Sequence, residues 1–173
     1  MKAIGVDPGK TGAWVVVERV PSGPPGVVAS GLMPLMPGPG GRTRLDAREL
    51  LATLRQAMAD AGGVRVAVLE EPSAMPRQGI ASAFGFGRTL GATEAVLVSL
   101  GLALELVRPN VWKRELRVPA DKGGARARAS QLMPGGSGLW RLAKEDGVAE
   151  AAMLALWGLD RLAPTYDLFG GGR

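Results

Sequence analysis

Apolar positions along the chain fall into short runs and longer helical stripes, and their order predicts an α/β fold. Lys2 to Asp7, Thr11 to Val20 and Val27 to Met33 are predicted as three strands, the second and third joined through the turn-rich PSGPPG. The stretch PLMPGPGGRTR excludes regular structure and predicts a mobile loop. Asp46 to Gly62 has the spacing of an amphipathic helix, with Asp46 as N-cap and Gly62 as stop. Val64 to Glu70 is a fourth strand, Ala81 to Gly101 a long helix and Ala103 to Val107 a fifth strand. Pro109 opens a short helix through Trp112, and further helices lie near Gly124 to Met133 and Glu145 to Leu162. Strands joined by a helical crossover run parallel. The expectation is a five-stranded mixed sheet, with strands 1–3 antiparallel and strands 1, 4 and 5 parallel, flanked by helices in a single domain over residues 1–162. Residues 163–173 form a loose tail, and no internal repeat or second domain is evident.

Two strands end in acids followed at once by turn residues: Asp7 before Pro8 and Gly9, and Glu70 before Glu71 and Pro72. If both strands are parallel, the two carboxylates share one edge of the sheet, the edge at which open α/β sheets bind ligands. Carboxylates brought together repel, so one takes up a proton or a cation binds between them. The chain has no His and no Cys, which excludes zinc-type sites and points to a hard, oxygen-liganded ion such as magnesium or manganese. Taken singly, Asp7 and Glu70 also suit plain strand-end turns. Glu71, next in strand phase, points to the opposite face. Near the C-terminus, KEDGVAEAAMLALWGL places Asp146 and Glu150 on one helical face. Asp146 there fits either a metal ligand or a helix cap, while Glu150 sits beside the apolar stripe.

Charge adds a second component. Between Arg108 and Lys144 nine basic residues stand against two acids, so this segment carries +7 in a chain whose total is +5. A basic face beside an acidic edge suits a phosphodiester substrate, since cations hold phosphates while carboxylates hold metals. No apolar run is long enough to span a membrane, and the chain enters a strand at once with no signal peptide, so a cytoplasmic protein is expected. GKT at Gly9 to Thr11 lacks the glycine a P-loop needs where Ile4 stands. Gly85, Gly87 and Gly91 lie within a helical pattern and suit close packing against the sheet or a partner chain.

The segments IGVDPGKTG, VLEEPSAMPRQG, FGFGRTLG, PNVWKREL and KEDGVAEAAMLA occur in the order and approximate spacing of the RuvC family of Holliday junction resolvases, within the RNase H-like superfamily. The last motif, an Asp-Gly pair followed shortly by Glu-Ala, resembles the phage-type branch, and the likeness runs from Lys2 to about Leu159. It implies an RNase H-like fold and a metal-dependent endodeoxyribonuclease that cuts Holliday junctions and other branched DNA as a homodimer. Asp7, Glu70, Asp146 and Glu150 match the family's acids and would hold two magnesium or manganese ions about 4 Å apart. The bacterial pattern has its last two acids three residues apart; here Gly147 occupies the upstream position and Asp146 precedes it, which leaves open which of Asp146 and Glu150 meets metal. Lys113 and Lys122 resemble lysines near the family's active site, and Arg126 joins them as a phosphate contact. The loop after Glu70 matches the segment that enters the junction, with Met75 as wedge and Arg77 as phosphate contact. Two other readings remain: a branched-DNA-binding protein that has lost cleavage, and an actin-like phosphotransferase, for which the chain is short.

Overall fold

The computed structural model describes residues 1–71, 79–121 and 123–161. A five-stranded mixed sheet is built from β1 (Lys2–Val6), β2 (Ala13–Glu18), β3 (Gly26–Leu32), β6 (Val66–Glu70) and β7 (Ala103–Val107). Its order is β3-β2-β1-β6-β7. β1 pairs antiparallel with β2 and β2 with β3, whereas β1–β6 and β6–β7 are parallel. The carboxyl ends of β1, β3, β6 and β7 therefore share one edge. The helices are α1 (Ala47–Asp60), α2 (Ile80–Ser99), α3 (Pro109–Glu115), α4 (Gly124–Leu132) and α5 (Asp146–Arg161).

Strand alternation divides the core into two layers. Ala3, Val15, Val17, Val66 and Val68 face α5, which is buried along almost its whole length. Ile4, Val6, Trp14, Val16, Ala67 and Leu69 face the other way, toward α1 and α2. Helix α5 lies so near the sheet that a Cβ at Gly5 would fall 2.0 Å from the Ala151 carbonyl oxygen, and one at Gly158 would fall 2.5 Å from Val68. Glycine at both positions permits the contact. Truncating Leu154, fully buried in this layer, to Ala costs about 2–5 kcal/mol by the usual cavity argument.

Asp46 caps α1 as its sequence position suggests, accepting a hydrogen bond from the Glu49 amide at 3.0 Å. The short helix begun by Pro109 continues beyond Trp112 to Glu115. The expectation of a structureless loop at PLMPGPGGRTR fails. β4 (Leu35–Pro37) and β5 (Thr43–Leu45) pair antiparallel there. Gly40 and Gly41, at φ +68° and +71°, reverse the chain between them, so residues that signal disorder in a linear reading supply the tip of a hairpin. The C-terminal tail lies outside the described residues.

Candidate metal centre

The same alternation that builds the core aims the acids. Val6 and Leu69 face α1 and α2, so the next residues, Asp7 and Glu70, fall in phase with the α5 face. Glu71 is half-buried, and its amide bonds to the Val107 carbonyl at 2.9 Å. The turn after β1 is tight. The Asp7 amide donates to Ala13 O at 2.9 Å, Gly9 N donates to Asp7 Oδ1 at 3.0 Å, and a Cβ at Gly12 would fall 2.1 Å from the Asp7 carbonyl oxygen.

Glu70 is 6 % exposed. The buried indole of Trp112 on α3 donates from Nε1 to Glu70 Oε1 at 2.9 Å. The next residue, Lys113, places Nζ 2.6 Å from Glu150 Oε1 and 5.1 Å from the centre of the Trp112 ring. Helix α3 is held to α5 from below, where Trp157 Nε1 donates to Glu115 Oε2 at 2.7 Å and Arg161 pairs with the same carboxylate. Consecutive residues of one short helix thus orient Glu70 and contact Glu150. Trp112 and Glu70 are 42 residues apart, so no local pattern singles Trp112 out as a site residue; its place beside Lys113 in PNVWKREL is the available signal.

Electrostatics tie three acids together. Burial raises Asp7 to about 6; the Gly9 amide opposes the rise, Glu150 adds to it and Lys113 lowers it. Burial likewise raises Glu70 to about 7, opposed by the Trp112 hydrogen bond, increased by Asp7 and Glu150, and reduced by Lys113. Asp7, Glu70 and Glu150 are therefore near enough at this edge for their charges to act on one another, with Lys113 as the neighbouring cation. Asp146 stands apart from this set. Its Oδ1 lies 2.5 Å from Arg126 Nε, and Arg126 also donates to the Arg141 carbonyl at 3.2 Å. Arg126, expected as a phosphate contact, is thus the ion-pair partner of Asp146. Between the two acids, a Cβ at Gly147 would fall 3.1 Å from Asp7 Oδ2 but 2.4 Å from the Thr11 carbonyl oxygen. Position 147 faces the Asp7 carboxylate and has no room for a side chain.

Among the described residues no three acidic side chains converge closely enough, as placed, to enclose an ion. The donor chemistry nevertheless fits a hard divalent cation: carboxylate oxygens only, in a chain with neither His nor Cys. Met75, Arg77 and Lys122 lie outside the described residues.

Fold and site together define an α/β protein with an acidic, oxygen-donor centre at the carboxyl edge of its sheet. No protein-family model and no curated protein sequence matches the chain. Solved structures do. Thermus thermophilus RuvC in complex with a Holliday junction substrate matches over 98% of this chain and 97% of its own, with a TM-score of 0.64 at 19% identity. A second T. thermophilus RuvC structure matches over the same shares at 0.63 and 18%. The fowlpox virus Holliday junction resolvase matches over 94% of this chain and 99% of its own, at 0.56 and 15%. The fold is that of the RuvC resolvases, in its RNase H-like, mixed five-stranded form.

Proposed function

We propose that the chain is a metal-dependent, structure-selective endodeoxyribonuclease that hydrolyses phosphodiesters in Holliday junctions and other branched DNA. The observation that carries this reading is the coupling of Asp7, Glu70 and Glu150, with Lys113, at the carboxyl edge of a sheet whose fold matches a structure holding a Holliday junction. Asp7, Glu70 and Glu150 would hold magnesium or manganese, two ions in the full scheme, with Asp146 as a further ligand once freed from Arg126. Bound there, the ions would act as Lewis acids toward the phosphate and lower the pKa of water.

The chain's own residues do the rest. Gly9 and Trp112 fix one oxygen each of Asp7 and Glu70, so neither carboxylate has to be ordered when substrate arrives. Lys113 offers an ammonium to the scissile phosphate from beside Glu150. The basic residues between Arg108 and Lys144, Lys122 among them, hold neighbouring phosphates, and Met75 and Arg77 contact the branch point. The reading includes a homodimer, whose two sites would make paired nicks. Ile80 and Phe84, 89% and 68% exposed near the start of α2, supply an apolar face for it. Among the described residues no helix is long and apolar enough to cross a membrane, and a DNA substrate fits a cytoplasmic location.

The test is a labelled four-way junction incubated with purified protein in manganese or in EDTA. Cleavage with manganese, abolished by Asp7→Asn and by Glu70→Gln while binding persists, is the expected result. Binding without cleavage in manganese would leave a DNA-binding protein, and neither binding nor cleavage would overturn the reading.

A further inference from the structure

The hairpin formed by β4 and β5 stands on the carboxylate edge. β3 runs parallel to β1, since both are antiparallel to β2, so the chain leaving Leu32 emerges at the same edge as Asp7, with the start of β2 between them. The hairpin root is fastened to the turn that carries this acid: Met33 N donates to Gly12 O at 3.0 Å. Its other strand is closed by the Asp46 amide, which donates to Pro34 O at 2.9 Å just before the start of α1. Met33 and Leu45 are buried in the core beneath. The base is therefore firm, and the tip is shaped by Gly38 N donating to Arg42 O at 2.7 Å and by the two left-handed glycines.

What this firm element presents is positive charge. Arg42 and Arg44 are exposed, and with Arg42 extended at φ −86° and ψ 153° the two share one face of the strand. The Arg44 stem crosses the tip, with its Cγ 3.5 Å from where a Gly38 Cβ would stand. Lys10, in the turn after Asp7, is exposed as well. Among the described residues none of the three side chains has an ion pair or hydrogen bond. No acid occurs from Pro34 to Leu45. Like charges on an ordered arm repel and add nothing to the fold, so they suit an anionic partner.

β3 and β7 are opposite edges of the sheet, and β7 leads directly into the basic segment that begins at Arg108. The carboxylates thus lie between two basic margins. We propose that the hairpin is a second DNA-binding arm, in which Arg42 and Arg44, with Lys10 at the root, hold backbone phosphates of a duplex arm on the β3 side of the carboxylate centre. This rests on the branched-DNA reading above.

The experiment titrates labelled four-way junction and linear duplex in EDTA across a range of salt, with wild type, Arg42→Gln/Arg44→Gln and Arg42→Lys/Arg44→Lys. The glutamine pair should weaken binding to both DNAs about tenfold at low salt and lower the salt slope by nearly two units. The lysine pair should keep the slope, and thermal midpoints should match wild type. Equal affinity and slope in wild type and the glutamine pair would overturn the arm while leaving the nuclease reading intact. Failure of wild type to bind either DNA would remove the reading and the arm together.

Discussion

The ammonium of Lys113 lies 2.6 Å from Oε1 of Glu150, which marks Glu150 as the α5 acid turned toward Asp7 and Glu70. Asp146, one turn earlier, is spent on Arg126. Replacing a ligand removes a first-order contribution, whereas replacing a partly exposed ion-pair member costs under about 1 kcal/mol of stability. Manganese titration of the DNA-free protein by calorimetry, in which Asp146 is still paired with Arg126, should therefore find Glu150→Gln weakened at least about tenfold and Asp146→Asn within about twofold of wild type. Equal losses in the two variants would return Asp146 to the ligand set as an equal member.

Stability without metal should fall as pH rises. Asp7 goes from 3.8 to about 6 and Glu70 from 4.5 to about 7 on folding. Both folded-state values lie above the unfolded ones, so between about pH 4 and pH 7 the native state holds more protons than the unfolded chain. Stability is then greatest below the unfolded values and is lost on passing through the folded ones. Each group accounts for on the order of 3 kcal/mol, less than twice that together because part of the rise at Glu70 comes from the charge of Asp7. Urea midpoints in EDTA should be lower at pH 8 than at pH 5, and Asp7→Asn should flatten the difference. Manganese at pH 8 should recover the midpoint. A midpoint that rises from pH 5 to pH 8 in EDTA would refute the assignment.

What could be read from the sequence follows the range of the interactions involved. Asp7 and Glu70 were legible because a strand, an acid and a proline or glycine are neighbours in the chain, and the parallel crossover then put them at one edge. The β4–β5 hairpin was not, because Pro34, Pro37, Pro39 and their glycines have the same local signature in a turn and in a disordered loop. Only Met33 and Leu45 reaching the core distinguish the two. The pairs Trp112–Glu70 and Lys113–Glu150 span 42 and 37 residues, beyond any local pattern. Spacing could not separate Asp146 from Glu150, since the choice depends on Arg126, which is brought in by another helix.

Trp112→Phe should keep most of the buried packing and remove the single hydrogen bond to Glu70 Oε1. An unsatisfied buried acceptor costs about 1–3 kcal/mol. Without the donor the Glu70 carboxylate is disfavoured further, so its proton should be held to higher pH. The diagnostic is the pH profile of manganese binding. It should move upward in Trp112→Phe and converge on wild type at high pH, where Glu70 is ionised in both. A profile displaced equally at every pH would mean that the indole only fills space.

Gly147 poses a contest between two effects of opposite sign. In the first turn of α5, alanine should stabilise the helix by up to about 1 kcal/mol relative to glycine. The added Cβ, however, would meet the Thr11 carbonyl oxygen at 2.4 Å and the Gly12 Cα at 3.0 Å. These are backbone atoms of the turn that holds Asp7, and overpacking against such atoms costs about 1–3 kcal/mol. The steric term should win, so Gly147→Ala should lower the urea midpoint and weaken manganese binding as the turn carries Asp7 away from Glu70. Gly147→Asp, which restores the three-residue spacing of the bacterial pattern, should be no better, because its Cβ meets the same oxygen before its carboxylate can reach an ion. A Gly147→Ala variant more stable than wild type, with manganese affinity intact, would show that the turn yields freely and that position 147 is open to a ligand.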